Sequence, residues 1–228
     1  MNVNYYQKVG GEMKVLVKLL KKCFICCCGL MVCALGAFLQ IQAGTGLYPW
    51  YSLSEGMANV LNLSFGQAHN VVSVIIVVID LIIHEAIGIG SILNAFVIGW
   101  GTDLFNLLFP FSTNSMLLKV LIVPVSLFLN SVGMYLYIGV GLGAGPRDTF
   151  LIGLGKRIKK ISLGTVSIIL FAILIGISYF MHATIGIGTL IAVFANGPIM
   201  DATFKMFKFK PYEIKHENLL DTVKSFKK

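Results

Sequence analysis

His84-Glu85-Ala86-Ile87-Gly88-Ile89-Gly90-Ser91 recurs 98 positions later as His182-Ala183-Thr184-Ile185-Gly186-Ile187-Gly188-Thr189. At the same offset Phe96 meets Phe194, Gly99 meets Gly197 and Asp103 meets Asp201. Ser64 and Gly66 likewise meet Ser162 and Gly164. Further upstream the offset is 97: Gly44 meets Gly141, Gly46 meets Gly143, Pro49 meets Pro146 and Gly56 meets Gly153. Matched His, Pro and Asp in one order make chance a poor explanation, and one inserted residue accounts for the change of offset. Each unit reads as a helix, a Gly-x-Gly-x-x-Pro break, a second helix, a Gly-Ile-Gly turn and a third helix.

The composition says where such helices live. Of 228 residues, 57% are apolar and 12% charged, with a mean hydropathy of +0.85. A soluble fold of this length would expose apolar patches far beyond what a soluble monomer tolerates. A spanning helix takes roughly 20 apolar residues, so the composition suits roughly six spans. Apolar runs place them near 23–43, 66–86, 90–110, 118–140, 162–182 and 186–204. A soluble enzyme, a nucleic-acid-binding module and a disordered chain are excluded.

The net charge of +8 comes in blocks. Basic residues cluster before position 23, between 147 and 160, and from 205 onward, and only Lys119 stands apart. Six crossings with a cytoplasmic N-terminus put 17 of the 18 basic residues on the cytoplasmic side, as the positive-inside bias requires. Three crossings per unit reverse the second unit relative to the first. The break at 44–64 has no basic residue, whereas its counterpart at 141–161 has five, which fits an inverted repeat. The expected fold is an all-α membrane protein of one domain, residues 1–228. It has six transmembrane helices as two inverted-topology three-helix repeats, about 23–110 and 118–205. Basic cytoplasmic tails, 1–22 and 206–228, flank them. The first run is expected to be retained rather than cleaved, since it is a member of the repeat.

Structural breaks and turns are assigned to Gly44, Gly46, Pro49, Gly143, Gly145 and Pro146, and to Gly88, Gly90, Gly186 and Gly188. Ser91 and Thr189 are placed to cap the helices that follow the turns, and His84 and His182 to cap or hydrogen-bond at the surface. The break segments read either as helices lying in the membrane surface or as re-entrant helices whose N-termini face a cavity. A helix N-terminus there, with Arg147 and Asp148 at its start, would favour an anion. Tyr48, Trp50 and Tyr51 fit an outer aromatic belt.

Carboxylates inside apolar runs are costly unless neutralised, so Asp80 and Asp103 are candidates for binding a proton or cation. Asp201, the repeat partner of Asp103, is a further candidate; Asp80 shares a helix face with His84, and Asp201 with Lys205. The five cysteines lie between positions 23 and 33 and read as small apolar filler. No metal site, cofactor motif or catalytic signature is found, so neither a cofactor nor an enzyme activity is expected.

Gly143-Ala144-Gly145-Pro146-Arg147-Asp148, Pro49-Trp50, the two Gly-Ile-Gly-Ser/Thr turns and Asn196-Gly197-Pro198 carry a resemblance. Over about residues 23–205 the chain resembles the YczE/YyaS/YitT-type group of bacterial integral membrane proteins, closest to the YczE type. Tyr51 departs from that pattern, which leads one to expect an acidic residue there. The resemblance implies a multi-pass protein of the bacterial cytoplasmic membrane, and little about activity.

The function expected is permease-like transport of a small solute or ion by a homo-oligomer in the lipid bilayer. The alternative is a non-transporting partner that anchors or regulates a cytoplasmic enzyme. Ile214, Leu219, Leu220, Val223 and Phe226 would then form the docking stripe of the tail.

Overall fold

The computed structural model describes residues 3–158 and 163–225, all of whose regular structure is helical. In chain order the helices are α1 (Val3–Ala43), α2 (Pro49–Leu61), α3 (Phe65–Ile82) and α4 (Ile89–Leu108). They continue with α5 (Met116–Gly139), α6 (Pro146–Arg157), α7 (Leu163–Phe180), α8 (Ile187–Met206) and the short α9 (Leu219–Ser225). α1 packs most extensively on α5 and then on α4, α3 on α4, and α8 on α5. The α1–α5 crossing is close because small residues face each other: a Cβ on Gly29 would lie 2.8 Å from the Gly133 carbonyl oxygen.

Five helices among the described residues, not six, are long and apolar enough to cross a membrane. They are the Val15–Ala43 part of α1, then α3, α4, α5 and α8. The run expected to span at 162–182 gives only the shorter apolar helix Gly164–Phe180, and residue 162 lies outside the described residues. Its end copies that of α3: His182 turns left-handed (φ 58°) as His84 does, and Ala183 N–H closes back on the Ser178 carbonyl as Glu85 N–H does on that of Asp80. Among the described residues the first unit thus has three helices of spanning length and the second two. Their packing differs at one contact: α3 and α7 both lie on α2 and α6, but α3 also lies on α4, whereas α7 has no comparable contact with α8 among the described residues. The expected pair of inverted three-helix repeats is thereby corrected, and the recurrence is one of local motifs.

Those motifs are nonetheless close in geometry. Gly44 and Gly46 have φ of 60° and 103°, and Gly141 and Gly143 have 71° and 118°, conformations that side chains rarely adopt. Each Gly-x-Gly loop presents its middle carbonyl to the start of a distant helix. Gly188 N–H donates to Thr45 O and Gly90 N–H to Leu142 O, both at 2.8 Å. Ser91 and Thr189 hydroxyls accept from the backbone N–H of Gly88 and Gly186, as expected of capping groups. Pro49 and Pro146 then open α2 and α6, where proline is pre-organised for a first helical turn.

The two short helices lie inside the bundle. α2 packs on α3 and α7, and α6 on α3 and α7. Trp50 and Tyr51 are 5% and 3% exposed, so they form part of the interior and not of an outer aromatic belt.

A Cβ at Gly88 would collide with the Leu142 carbonyl oxygen and lie 2.6 Å from that of Glu217, whereas at Gly176 it meets nothing within 4 Å. Gly88→Ala should therefore lower the thermal midpoint in detergent by several degrees. Gly176→Ala should hold or raise it, because alanine favours a helix by roughly 0.5–1 kcal/mol over glycine.

Candidate functional site

A cavity of about 440 Å³ lies where the N-terminal ends of α2 and α6 converge. α1, α4 and α5 close one side of it with Cys33, Asn94, Asn130 and Tyr137. α7 and α8 supply a more apolar wall that includes Phe171, Val193 and Met200. Its volume falls within the range of small-molecule sites, roughly 300–1,000 Å³.

Arg147 is the feature that sets its chemistry. Its Nη2 lies 2.9 Å from Nδ1 and 3.1 Å from Nε2 of His69, so a neutral imidazole accepts from it. The guanidinium carbon stands 5.6 Å over the Trp50 ring and 5.1 Å over Tyr51. Such cation–π contacts contribute roughly 0.5–2 kcal/mol each. The Nε is buried with no hydrogen-bond partner, and none of the ion pairs among the described residues involves Arg147. Asp148, the next residue, takes a 2.7 Å hydrogen bond from the Tyr137 hydroxyl. Tyr51 offers Arg147 a ring face.

Of the five candidate residues, the structure brings Arg147 and Asp148 to the cavity and places the other three away from it. Asp103 accepts from Gly66 N–H at 2.8 Å and from the Ser64 hydroxyl, so it caps the start of α3. Asp80 is fully buried near the end of α3, and neither of its oxygens has a hydrogen-bond partner. It makes no bond to His84, which ends α3 in a left-handed conformation as His182 ends α7. Asp201 is exposed on α8. Cys26 and Cys33 are buried in the core around Leu30 and Ala34.

The basic stretches gather at one end of the bundle. Lys22 pairs with Glu217 at 2.6 Å, and Glu217 N–H donates to Gly141 O. Leu219 N–H donates to Ile87 O, so the tail is tied across the 83–88 turn and the Gly141 loop. Within the expected docking stripe Leu219 is 39% exposed. Of the proposed docking stripe, Phe226 lies outside the described residues. Glu85 pairs with Lys156 at 2.7 Å and Arg157 at 3.2 Å, which anchors the C-terminal end of α6. The Lys156 bond, more than the Arg157 one, holds the Glu85 carboxyl below its ordinary value of 4.5, against a smaller opposing effect of burial.

Sequence reasoning missed His69, Tyr137, Asn94 and Asn130. The available signal was a polar group inside an otherwise apolar run, which in a membrane helix marks an interior face. His69 shares its face with Ser73 and Ile76 at helical spacing, all buried.

The fold and this cavity define a multi-spanning α-helical membrane protein with a charged interior site. Residues 20–205 match the model of a family of unknown function (DUF6198), and the chain belongs to that family. It is similar to the uncharacterized membrane protein YczE of Bacillus subtilis, 28% identical over 75% of this chain and 80% of that one. It is also similar to the uncharacterized protein YyaS of the same organism, at 27% over 75% and 87%. An uncharacterized protein of Haemophilus influenzae is 24% identical over 75% and 78%. These relationships agree with the resemblance read from the Gly-Pro-Arg-Asp segment. No solved structure matches the chain.

Two outcomes separate capping from binding. Asp103→Ala should cost about 1 kcal/mol of stability, the usual worth of a helix cap, with ligand response at the cavity unchanged. The Glu85 pairing should stabilise the fold above about pH 4.5 and lose that contribution as the pH falls below it. Glu85→Gln should thus lower the melting midpoint at pH 7, and the difference from wild type should close as the pH falls below about 4.5.

Proposed function

We propose that this protein is a permease-like carrier, and not an enzyme, that receives a small solute bearing an anionic group in the central cavity. The carrying observation is Arg147: a cation inside the bundle, facing a cavity, with no ion pair among the described residues. A charge so placed is costly unless something compensates it, and an anion bound in the cavity would compensate it. The N-terminal ends of α2 and α6 add partial positive charge on the same side. Asn94 and Asn130 add hydrogen-bonding groups to the lining. The protein sits in the bacterial cytoplasmic membrane, with both basic ends on the cytoplasmic face. The Lys22–Glu217 pair, which joins them at one end of the bundle, supports that placement.

The test is a thermal-stabilisation screen of the purified protein with carboxylates, phosphate esters and cations, followed by flux in proteoliposomes. Anionic solutes should raise the midpoint of wild type, cationic ones should not, and Arg147→Ala should abolish the response. Arg147→Lys keeps the charge but loses the planar fork, and should weaken binding about tenfold or more. Stabilisation of Arg147→Ala equal to that of wild type would refute the reading.

A further inference from the structure

We propose that the cavity takes single-chain amphiphiles, with an anionic head at Arg147 and an alkyl chain running out between α7 and α8 into the bilayer. This rests on the anion-binding reading and names its substrate class.

Three observations carry it. The cavity wall is discontinuous on one side only. α3 lies along α4, but α7 leans on α2 and α6 while α8 leans on α5, and no comparable α7–α8 packing exists among the described residues. The lining also changes character along that direction. The charged Arg147 and Asp148 come from α6, whereas on the α7–α8 side Ile168, Phe171, Val193 and Met200 outnumber the polar Ser167 and Asn196. Gly197 leaves a slot there, since a Cβ on it would meet nothing within 4 Å. Finally, the surface beside the gap is built for lipid. Ile168 is 66% exposed, Leu190 60% and Phe194 77%. By contrast, the tail is bonded across the Gly141 loop at the end where the basic residues gather. A polar solute with no chain gains nothing from an apolar side opening, whereas each methylene laid along one is withdrawn from water.

Binding can be read from Trp50, which lines the cavity, in a Trp100→Phe background that leaves it the sole tryptophan. The protein is held in phosphatidylcholine nanodiscs, and the probes are dodecanoate, dodecyl phosphate, acetate and inorganic phosphate at matched free concentration. Dodecanoate or dodecyl phosphate should bind at least about tenfold tighter than its chainless counterpart. Whichever head group binds tighter identifies a carboxylate or a phosphate amphiphile as the preferred class. Gly197→Leu should remove the advantage of the chain and leave the chainless anions as they were. Gly176→Leu, in equally open space on α7 but away from the cavity, should change neither. Melting midpoints of both variants confirm folding.

Equal affinity with and without a chain, or a Gly197→Leu variant that binds dodecanoate like wild type, would overturn the amphiphile proposal alone. Loss of all four responses in wild type, or their persistence in Arg147→Ala, would overturn the anion reading beneath it. A disulfide between Ile168→Cys of two copies in native membranes would show a second copy covering the gap, and would overturn the bilayer route.

Discussion

Two backbone hydrogen bonds govern the interior: Gly188 N–H to Thr45 O and Gly90 N–H to Leu142 O. Each takes one of the free N–H groups that every helix leaves at its start and gives it to a carbonyl on a loop from the other half of the chain. The approach is backbone to backbone, so a side chain on the donor glycine or on the neighbouring loop glycine crowds it. A Cβ at Gly188 would lie 2.6 Å from Gly46 O, and one at Gly46 2.6 Å from Gly186 N. Irregular backbone at membrane depth survives only where protein or a cavity satisfies it. Here the two clasps do so, and they release the chain inward. α2 and α6 therefore begin inside the bundle, three to five residues beyond the glycines.

That placement makes a buried arginine tolerable. A guanidinium needs acceptors or ring faces for a planar fork, and the start of α2 supplies Trp50 and Tyr51 while α3 supplies His69. These contacts screen the charge without an ion pair among the described residues. Asp148, the next residue, makes no such pair with it, and its Oδ2 accepts from the Tyr137 hydroxyl.

Much of this was legible beforehand, and the limits have physical causes. The Gly-x-Gly-x-x-Pro breaks, the Ser91 and Thr189 caps and the placement of Arg147 at the start of a helix follow from local geometry, which a sequence encodes directly. The argument for Asp103 failed because it considered only cationic partners. A carboxylate is equally satisfied by the N–H and hydroxyl groups at a helix start, and Gly66 and Ser64 lie 37 and 39 positions away in the chain. Trp50 and Tyr51 were misplaced for a similar reason. Aromatic residues beside a break suit a membrane surface and a cation's ring cage equally well, and only the position of α6 decides between them. His69 was overlooked because one imidazole in an apolar run gives no sign of the arginine 78 residues on that will meet it.

The mismatch between the two units bears on the site more than on the topology. A second unit that copied the first would have packed α7 on α8 as α3 packs on α4, closing the cavity on both flanks. α7 ends at a left-handed histidine and lies against α2 and α6 as α3 does, but among the described residues it lacks the contact with α8 that α3 has with α4. Its partner face on α8 is left bare at Asn196 and Gly197, both of which line the cavity. That departure from symmetry leaves the charged interior with an apolar opening on one flank. The matched halves build the two clasps, and the mismatch between them determines from which side Arg147 can be approached.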